Sequence, residues 1–532
     1  VKLLNSTEKA FKLRENQSFG VAATLNVAES NKSNDDWTRE KMTKFKFGPK
    51  LNNNEKKQLV NLLYKYKHVF SRDELDLGKT QLVKHQIKLT SNQPIKQAPY
   101  KSNPIKQKIT MKLVDDLLER GIIEPSHSPY SFPIVLKQKP NGTHRLCVDY
   151  RKLNDITIKD SFPLPRANDL LDSLKDLRVA SVLDLKSGYW QIEMSENDRE
   201  KTAFCTLDNL YQFRVMPFGL TNGPASFQRL MNLVLKGLNW TQALIYLDDI
   251  IVFGSTLRQH NERLERVLKR LSEANLKVSA EKCIFGTNSV KYLGHIIDEN
   301  GIKPDPAKVE ILSSITSPRT TKELKSFLGA VSFYRRFVAH FSKIAAPLYK
   351  LTSPKVPFKW TTKCEQAFGQ LKQLLSECTT LKCPDFEREF VLYTDASGEA
   401  IGAVIMQEND QQLCPIAFAS RHLSDAECKY STSEREALAI TWAVKHFKHF
   451  IASTPFIIYT DHKPLADLKK NKCIDEPLGR IMLKLMGQNY RIVYVRGKNN
   501  AVADWLSRQP NLAINRLTIR ADDDNLKRQH RR

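Results

Sequence analysis

The chain of 532 residues is 41% hydrophobic and carries a formal net charge of +25, from 83 Lys and Arg against 58 Asp and Glu. That length implies more than one domain, the apolar content is enough for real cores, and the excess of base points to a polyanionic partner, nucleic acid first. No apolar run approaches the roughly 20 residues that span a bilayer, and nine scattered cysteines without a C-x-x-C pair argue against a zinc ribbon and for a reduced protein.

In chain order, "VKLLNSTEKA" has neither an initial Met nor a signal-peptide apolar core, which reads as a piece of a longer product. Residues 1–55 are polar and read as a linker or extension. A helical period starts near 57 in "KKQLVNLLYKYKHVF". "KPNG" is a turn signal between the strand-like "FPIVLK" and "HRLCVDY". Mixed α/β pattern continues to about 310, and 315–380 is helical in period. From about 388 the pattern is "EFVLYTDAS", "IGAVIMQ" and "CPIAFASR" as strands, then the helix "SEREALAITWAVKHFKHFI". The strand "PFIIYTD", a helix, the strand "YRIVYVRG" and the helix "NAVADWLSR" follow.

Residues 243–253, "ALIYLDDIIVF", set Asp248 and Asp249 between two apolar β-branched runs. A lone Asp-Asp commonly marks a turn at a strand end. Here the flanks are so apolar that the acids need compensation for lost hydration. A turn between the runs makes a hairpin with both acids at its tip. If the strand "RVASVLDLKSGYW" lies beside it, Asp184 joins them. Such a set suits hard cations that bridge carboxylates and phosphates, and so in-line displacement at phosphorus.

"HRLCVDYRKLN", "SVLDLKSGYWQI", "KTAFCT", "FRVMPFGLTNGPASFQ", "IYLDDIIVFG", "VKYLGHII" and "FLGAVSFYRRF" occur in an order and spacing that resembles the reverse transcriptases of LTR retrotransposons, above all the gypsy-type group. The resemblance covers about residues 60 to 510. It implies a multidomain α/β and α+β protein: a right-hand polymerase of fingers, palm and thumb, then a connection and an RNase H-like α/β domain. Asp184, Asp248 and Asp249 match the palm metal ligands and catalytic acids. Arg145 and Lys139 flank the fingers hairpin as phosphate-binding residues, with Lys137 a rival to Lys139. Tyr189 matches the aromatic under the incoming sugar that excludes a 2′-hydroxyl. Phe218 stands where retroviral enzymes carry Gln, so pocket shaping rather than amide contact is implied. Lys282 matches a lysine that protonates pyrophosphate, and Tyr292, Leu293 and Gly294 match the primer grip.

Asp395, Glu436, Asp461 and Asp504 follow the order strand, helix, strand, helix. Carboxylates at strand ends and helix starts can converge on one edge of an open α/β sheet, and divalent ions would offset their repulsion. The order resembles ribonuclease H. Glu434 competes with Glu436, which is preferred because it directly precedes "ALAI". The loop "YVRGKNNAVAD" lacks the His that many retroviral ribonuclease H domains carry; Arg496 or Lys498 could stabilise charge there.

The resemblance therefore implies an RNA- and DNA-directed DNA polymerase with a hybrid-specific nuclease, using two Mg²⁺ ions per site with Mn²⁺ as a substitute. Implied partners are an RNA template, a DNA or tRNA primer, the RNA–DNA hybrid and deoxynucleotides, with a homodimer left open. The expected setting is the cytoplasm, within virus-like particles. No aspartic protease motif and no integrase zinc or acid motif is found, so protease and integrase are expected as other products of one polyprotein. The expected division is 1–55 extension, 56–314 fingers and palm, 315–385 thumb and connection, 386–510 RNase H, and 511–532 basic tail. Two rival readings remain: a catalytically silent nucleic-acid scaffold, and a polymerase whose nuclease block serves only as a surface.

Overall fold

The computed structural model describes residues 38–73, 76–138, 142–175, 177–409, 412–467, 485 and 487–495. Lys139 and Asp504, and with them Arg496 and Lys498, lie outside the described residues.

The first large sheet has the order Lys46–Phe47, Ile284–Thr287, Val179–Asp184, Asp249–Gly254, Ala243–Tyr246. Its middle strands are buried on both faces, which is why "VASVLD" and "DIIVFG" read as apolar runs rather than alternating ones. Gly223–Val234 and Leu257–Glu273 pack against it through Phe227, Leu230, Met231, Leu264, Val267 and Leu268, all fully buried. Residues 38–55 differ from the expectation of a linker. Arg39–Met42 is a helix capped by Thr38, Met42 is fully buried, and Lys46–Phe47 adds the outer strand in parallel with Ile284–Thr287. The stretch is polar on average, but Met42, Phe45 and Phe47 all bury against the same core.

A second sheet carries the expected hairpin. Phe132–Gln138 and His144–Val148 pair antiparallel, with Lys137 opposite Arg145. A third, three-stranded sheet, Ser289–Tyr292, His295–Asp298 and Gly301–Pro304, leads into helices Pro306–Ser314, Thr321–Ser332, Phe341–Lys350 and Thr362–Ser376.

The last sheet has the order Gln412–His422, Ala400–Asn409, Phe390–Ala396, Phe456–Thr460, Tyr490–Tyr494, antiparallel on one side of Phe390–Ala396 and parallel on the other. Successive residues face opposite sides. Phe390 and Leu392 meet the helix Thr432–His446, whereas Val391 and Tyr393 meet a core shared with the connecting helices and the first sheet. This second core is continuous from Leu170 and Ala180 to Phe418 and Tyr459. Within it Arg336 donates to Asp172 at 2.8 Å, with both side chains buried.

Candidate active sites

The first acid set is assembled by strand register. Asp249 begins its strand as the direct Cα partner of Asp184 and, on its other side, of Tyr246. Leu247 and Asp248 therefore form the two-residue turn, so one acid sits in the turn and the other starts the strand. Leu247 has φ +52, a left-handed conformation costly for a branched residue. Gln228 holds it there: fully buried on the helix Gly223–Val234, its Oε1 accepts the Leu247 N–H at 3.0 Å. Gln228 ends the quoted "GPASFQ" but has no role legible in the sequence, because nothing local links it to a turn 19 residues away.

Gly188 closes the other side. A Cβ there would stand 2.8 Å from Asp248 Oδ1 and 2.8 Å from the Phe227 ring, so only glycine fits. Asp248 Oδ1 is buried and has no hydrogen-bond partner among the described residues. Burial, then the Asp184 and Asp249 charges, push the Asp248 carboxyl up to about 6, with Lys282 opposing. Burial and Asp184 likewise raise Asp249. Lys282 Nζ donates to Asp184 Oδ1 at 2.9 Å, so it stands on the acid set rather than as a free surface lysine. Among the described residues no group of three or more His, Cys, Asp or Glu is gathered tightly enough to hold a metal ion as it stands. The orphaned Asp248 oxygen and the three adjoining carboxylates are nevertheless the donor set a hard cation takes.

Three expected nucleotide-pocket residues form one stack. The Arg145 guanidinium lies 5.4 Å from the Phe218 ring centre, and Phe218 stacks on Tyr189 at 5.2 Å and 19°. Tyr189 is pressed close to Gly223, where a Cβ would come within 3.3 Å of its ring. Burial and the Asp248 charge push its hydroxyl up to about 12, so it stays neutral. Lys137 and Arg145 are cross-strand neighbours, a like-charge pairing that an anion between them would offset. Leu293 and Gly294 form a tight turn with φ +47 and +75. Tyr292 is buried, and burial first, then the Asp249 charge, raises its pKa. Tyr334 donates to the Gly294 carbonyl at 2.9 Å, tying this hairpin to the helical block.

The second acid set is assembled by parallel pairing. Tyr393 and Tyr459 are Cα partners, so Asp395 and Asp461, each two residues on, leave adjacent strands at the same end. The helix Thr432–His446 delivers Glu436, which is 5% exposed and accepts the Ala396 N–H on Oε1 at 3.2 Å. Its Oε2 is buried without a partner among the described residues. Burial, then Asp395 and Asp461, push Glu436 up to about 8; burial and Asp461 push Asp395 up to about 6. The orphaned Oε2 among like charges again fits a divalent ion. Glu434 acts elsewhere, forming with Ser431 a reciprocal capping box at the helix start. Ser433 and His462, unassigned from sequence, link the helix to the Asp461 loop through Oγ and Nε2 at 3.0 Å.

Residues 136–297 match the family model "Reverse transcriptase (RNA-dependent DNA polymerase)", and residues 360–458 match "RNase H-like domain found in reverse transcriptase". The chain is 39% identical over 468 residues to the retrovirus-related Pol polyprotein from transposon 297 of Drosophila melanogaster, covering 86% of this chain and 43% of the relative. It is 37% identical over 473 residues to that from transposon gypsy of the same fly, covering 85% and 45%. Thus it spans less than half the length of these relatives. Among solved structures, the foamy viral protease-reverse transcriptase with double-stranded DNA superposes with a TM-score of 0.78 at 26% identity, covering 94% of this chain and 85% of that one. The same protein with an RNA/DNA hybrid gives 0.70 at 26%, covering 93% and 67%. The chain belongs to the reverse transcriptase and RNase H family of LTR-retrotransposon Pol polyproteins.

Proposed function

We propose that the chain copies retrotransposon RNA into DNA, uses DNA templates as well, and removes RNA from the resulting hybrid. The observation that carries the reading is the register: Asp249 lies opposite Asp184 with Asp248 in the intervening turn, inside the segment that matches the polymerase family. The hybrid-bound foamy virus neighbour supports an RNA–DNA duplex as the ligand.

Asp184, Asp248 and Asp249 hold metal at the polymerase site, and Asp395, Glu436, Asp461 and Asp504 at the nuclease site. Mg²⁺, two ions per site with Mn²⁺ as a substitute, would supply activation of the attacking hydroxyl or water and neutralisation of the leaving oxygen. Arg145, with Lys137 or Lys139, grips the triphosphate. Tyr189, braced by Phe218, fills the space a 2′-hydroxyl would need. Lys282, already beside Asp184, protonates departing pyrophosphate. The hairpin Tyr292–Leu293–Gly294 holds the primer end. The basic surface binds template and primer by phosphates, so affinity falls steeply with salt. We assign 56–314 to fingers and palm, 315–385 to thumb and connection, and 386–510 to RNase H. We infer a setting in virus-like particles with protease and integrase as sister products. Among the described residues no helix is long and apolar enough to cross a membrane.

The test is primer extension on an RNA template with a DNA primer, deoxynucleotides and Mg²⁺. Wild type should extend, and the double variant Asp248→Asn, Asp249→Asn should not. A folded wild type that binds the hybrid without extending would favour the scaffold reading.

A further inference from the structure

The nuclease acids have a neighbour from outside their own sheet. The start of the helix Phe341–Lys350 is fastened to the strand Gln412–His422. Ser342 donates its hydroxyl to the Ser420 carbonyl at 2.7 Å and its N–H to Ser420 Oγ at 2.9 Å. His422 Nε2 lies 2.6 Å from the Ser342 carbonyl, and Arg335 donates to the Ser420 carbonyl at 2.7 Å. His340, in a left-handed conformation at φ +51, turns the chain into this helix. Its ring would stand 3.5 Å from a Cβ on Gly402, and Gly402 is the strand partner of Asp395.

One residue past this clamp is Lys343. It is exposed and makes no ion pair among the described residues. The bonds of Ser342 to Ser420 set it beside the ladder row Ser420, Gly402, Asp395, whose residues share one face of the sheet. Lys343 thus stands on the Asp395 side of the sheet without an ion pair to that carboxylate among the described residues. From the helix of Glu436 itself, Arg435 adds a second positive charge; its Nε is buried without a partner among the described residues. A cation held close to a carboxylate yet unpaired leaves space for an anionic oxygen. A backbone phosphate is the anion this substrate offers there, and a flexible ammonium binds it as a point charge.

We propose that Lys343 is a substrate-positioning residue of the nuclease, holding a backbone phosphate of the RNA–DNA hybrid beside Asp395 from a helix outside the nuclease block. The inference rests on the RNase H reading above. It makes nuclease affinity depend on the docking of helix Phe341–Lys350 on Gln412–His422. The polymerase acids need no such contribution from that helix.

The experiment uses the full chain and a labelled RNA annealed to DNA, with KM and kcat for cleavage measured over a salt series. Wild type, Lys343→Ala, Lys343→Gln and Lys343→Arg are compared, with Asp395→Asn as the inactive control and primer extension on the same preparations. The expected result for Lys343→Ala is a KM raised about tenfold, kcat within about twofold, and a log–log salt slope of kcat/KM smaller by about one. Arg at the position should restore most of the loss, and extension should not change. Lys343→Gln keeps most of the stem and gives the same reading if the Ala variant unfolds. Unchanged KM and slope would overturn the proposal, as would an equal loss of extension, which would mark a merely structural lysine. A wild type that binds the hybrid but cleaves it no faster than Asp395→Asn would overturn the RNase H reading itself, and this inference with it.

Discussion

The two acid sets solve one electrostatic problem in different ways. The acids proposed for the polymerase site sit on an antiparallel hairpin whose turn is strained at Leu247 and braced by Gln228. A protein cation, Lys282, already contacts one of them. The described acids proposed for the nuclease site leave parallel strand ends and one helix, and none is in an ion pair among the described residues. Glu436 is correspondingly pushed further, to about 8 against about 6 for Asp248. Close placement of carboxylates therefore has a cost that grows with burial and falls with any cation at hand. The nuclease site, with the larger uncompensated charge, should depend more on added metal for its stability.

The sharpest test separates the sites. Asp248→Asn with Asp249→Asn should lower extension by about 10³-fold or more and leave hybrid cleavage in place, and Asp395→Asn should do the reverse. Parallel extension and cleavage assays check this; joint loss would mean the sites are not independent. The next test breaks what the two frames share. Asp172→Ala strands the buried Arg336 between the first sheet and the nuclease sheet and should cost about 3–5 kcal/mol in urea unfolding. A matched apolar replacement of both residues should recover most of that loss.

A smaller and local effect is expected at Gly188. The added Cβ of Gly188→Ala would displace Asp248 or Phe227, and about 10²-fold lower extension with unchanged cleavage should follow. The smallest effect is thermodynamic. In the folded protein Glu436 holds its proton up to about 8, above its ordinary value of 4.5. The native state therefore binds more protons than the unfolded state in that window, so stability falls as pH rises from about 4.5 to about 8. In metal-free buffer Glu436→Gln should gain in Tm over wild type across this range, and a divalent cation should narrow the gap by stabilising wild type. Asp248→Asn should show a smaller gain, which builds up between about pH 4 and 6 and then stays level at higher pH. Equal gains at the two sites would contradict the contrast between them.

Much of the chain was legible because its signals are local. Apolar β-branched runs, the "KPNG" turn and the ordered motifs located strands, the hairpin and the acids within segments of about ten residues. The polar average of residues 38–55 misled because burial is decided by single side chains, Met42 among them, and not by mean composition. Glu434 and Glu436 are alike in sequence and two residues apart. The place of Glu436 before "ALAI" favoured it in the sequence, and the structure adds the capping box of Glu434 with Ser431 and the burial of Glu436 against Ala396.

By itself the sequence determined the element types and the polymerase and nuclease motifs, since these depend on residue type and short-range period. Tertiary structure alone decided what depends on distant pairing. It set Asp184 opposite Asp249, put Gln228 behind Leu247, seated Arg336 on Asp172 across 164 positions, and brought the helix of Lys343 onto the nuclease strands. Such contacts form only when strand register and shared burial bring remote segments together, and no local pattern encodes them.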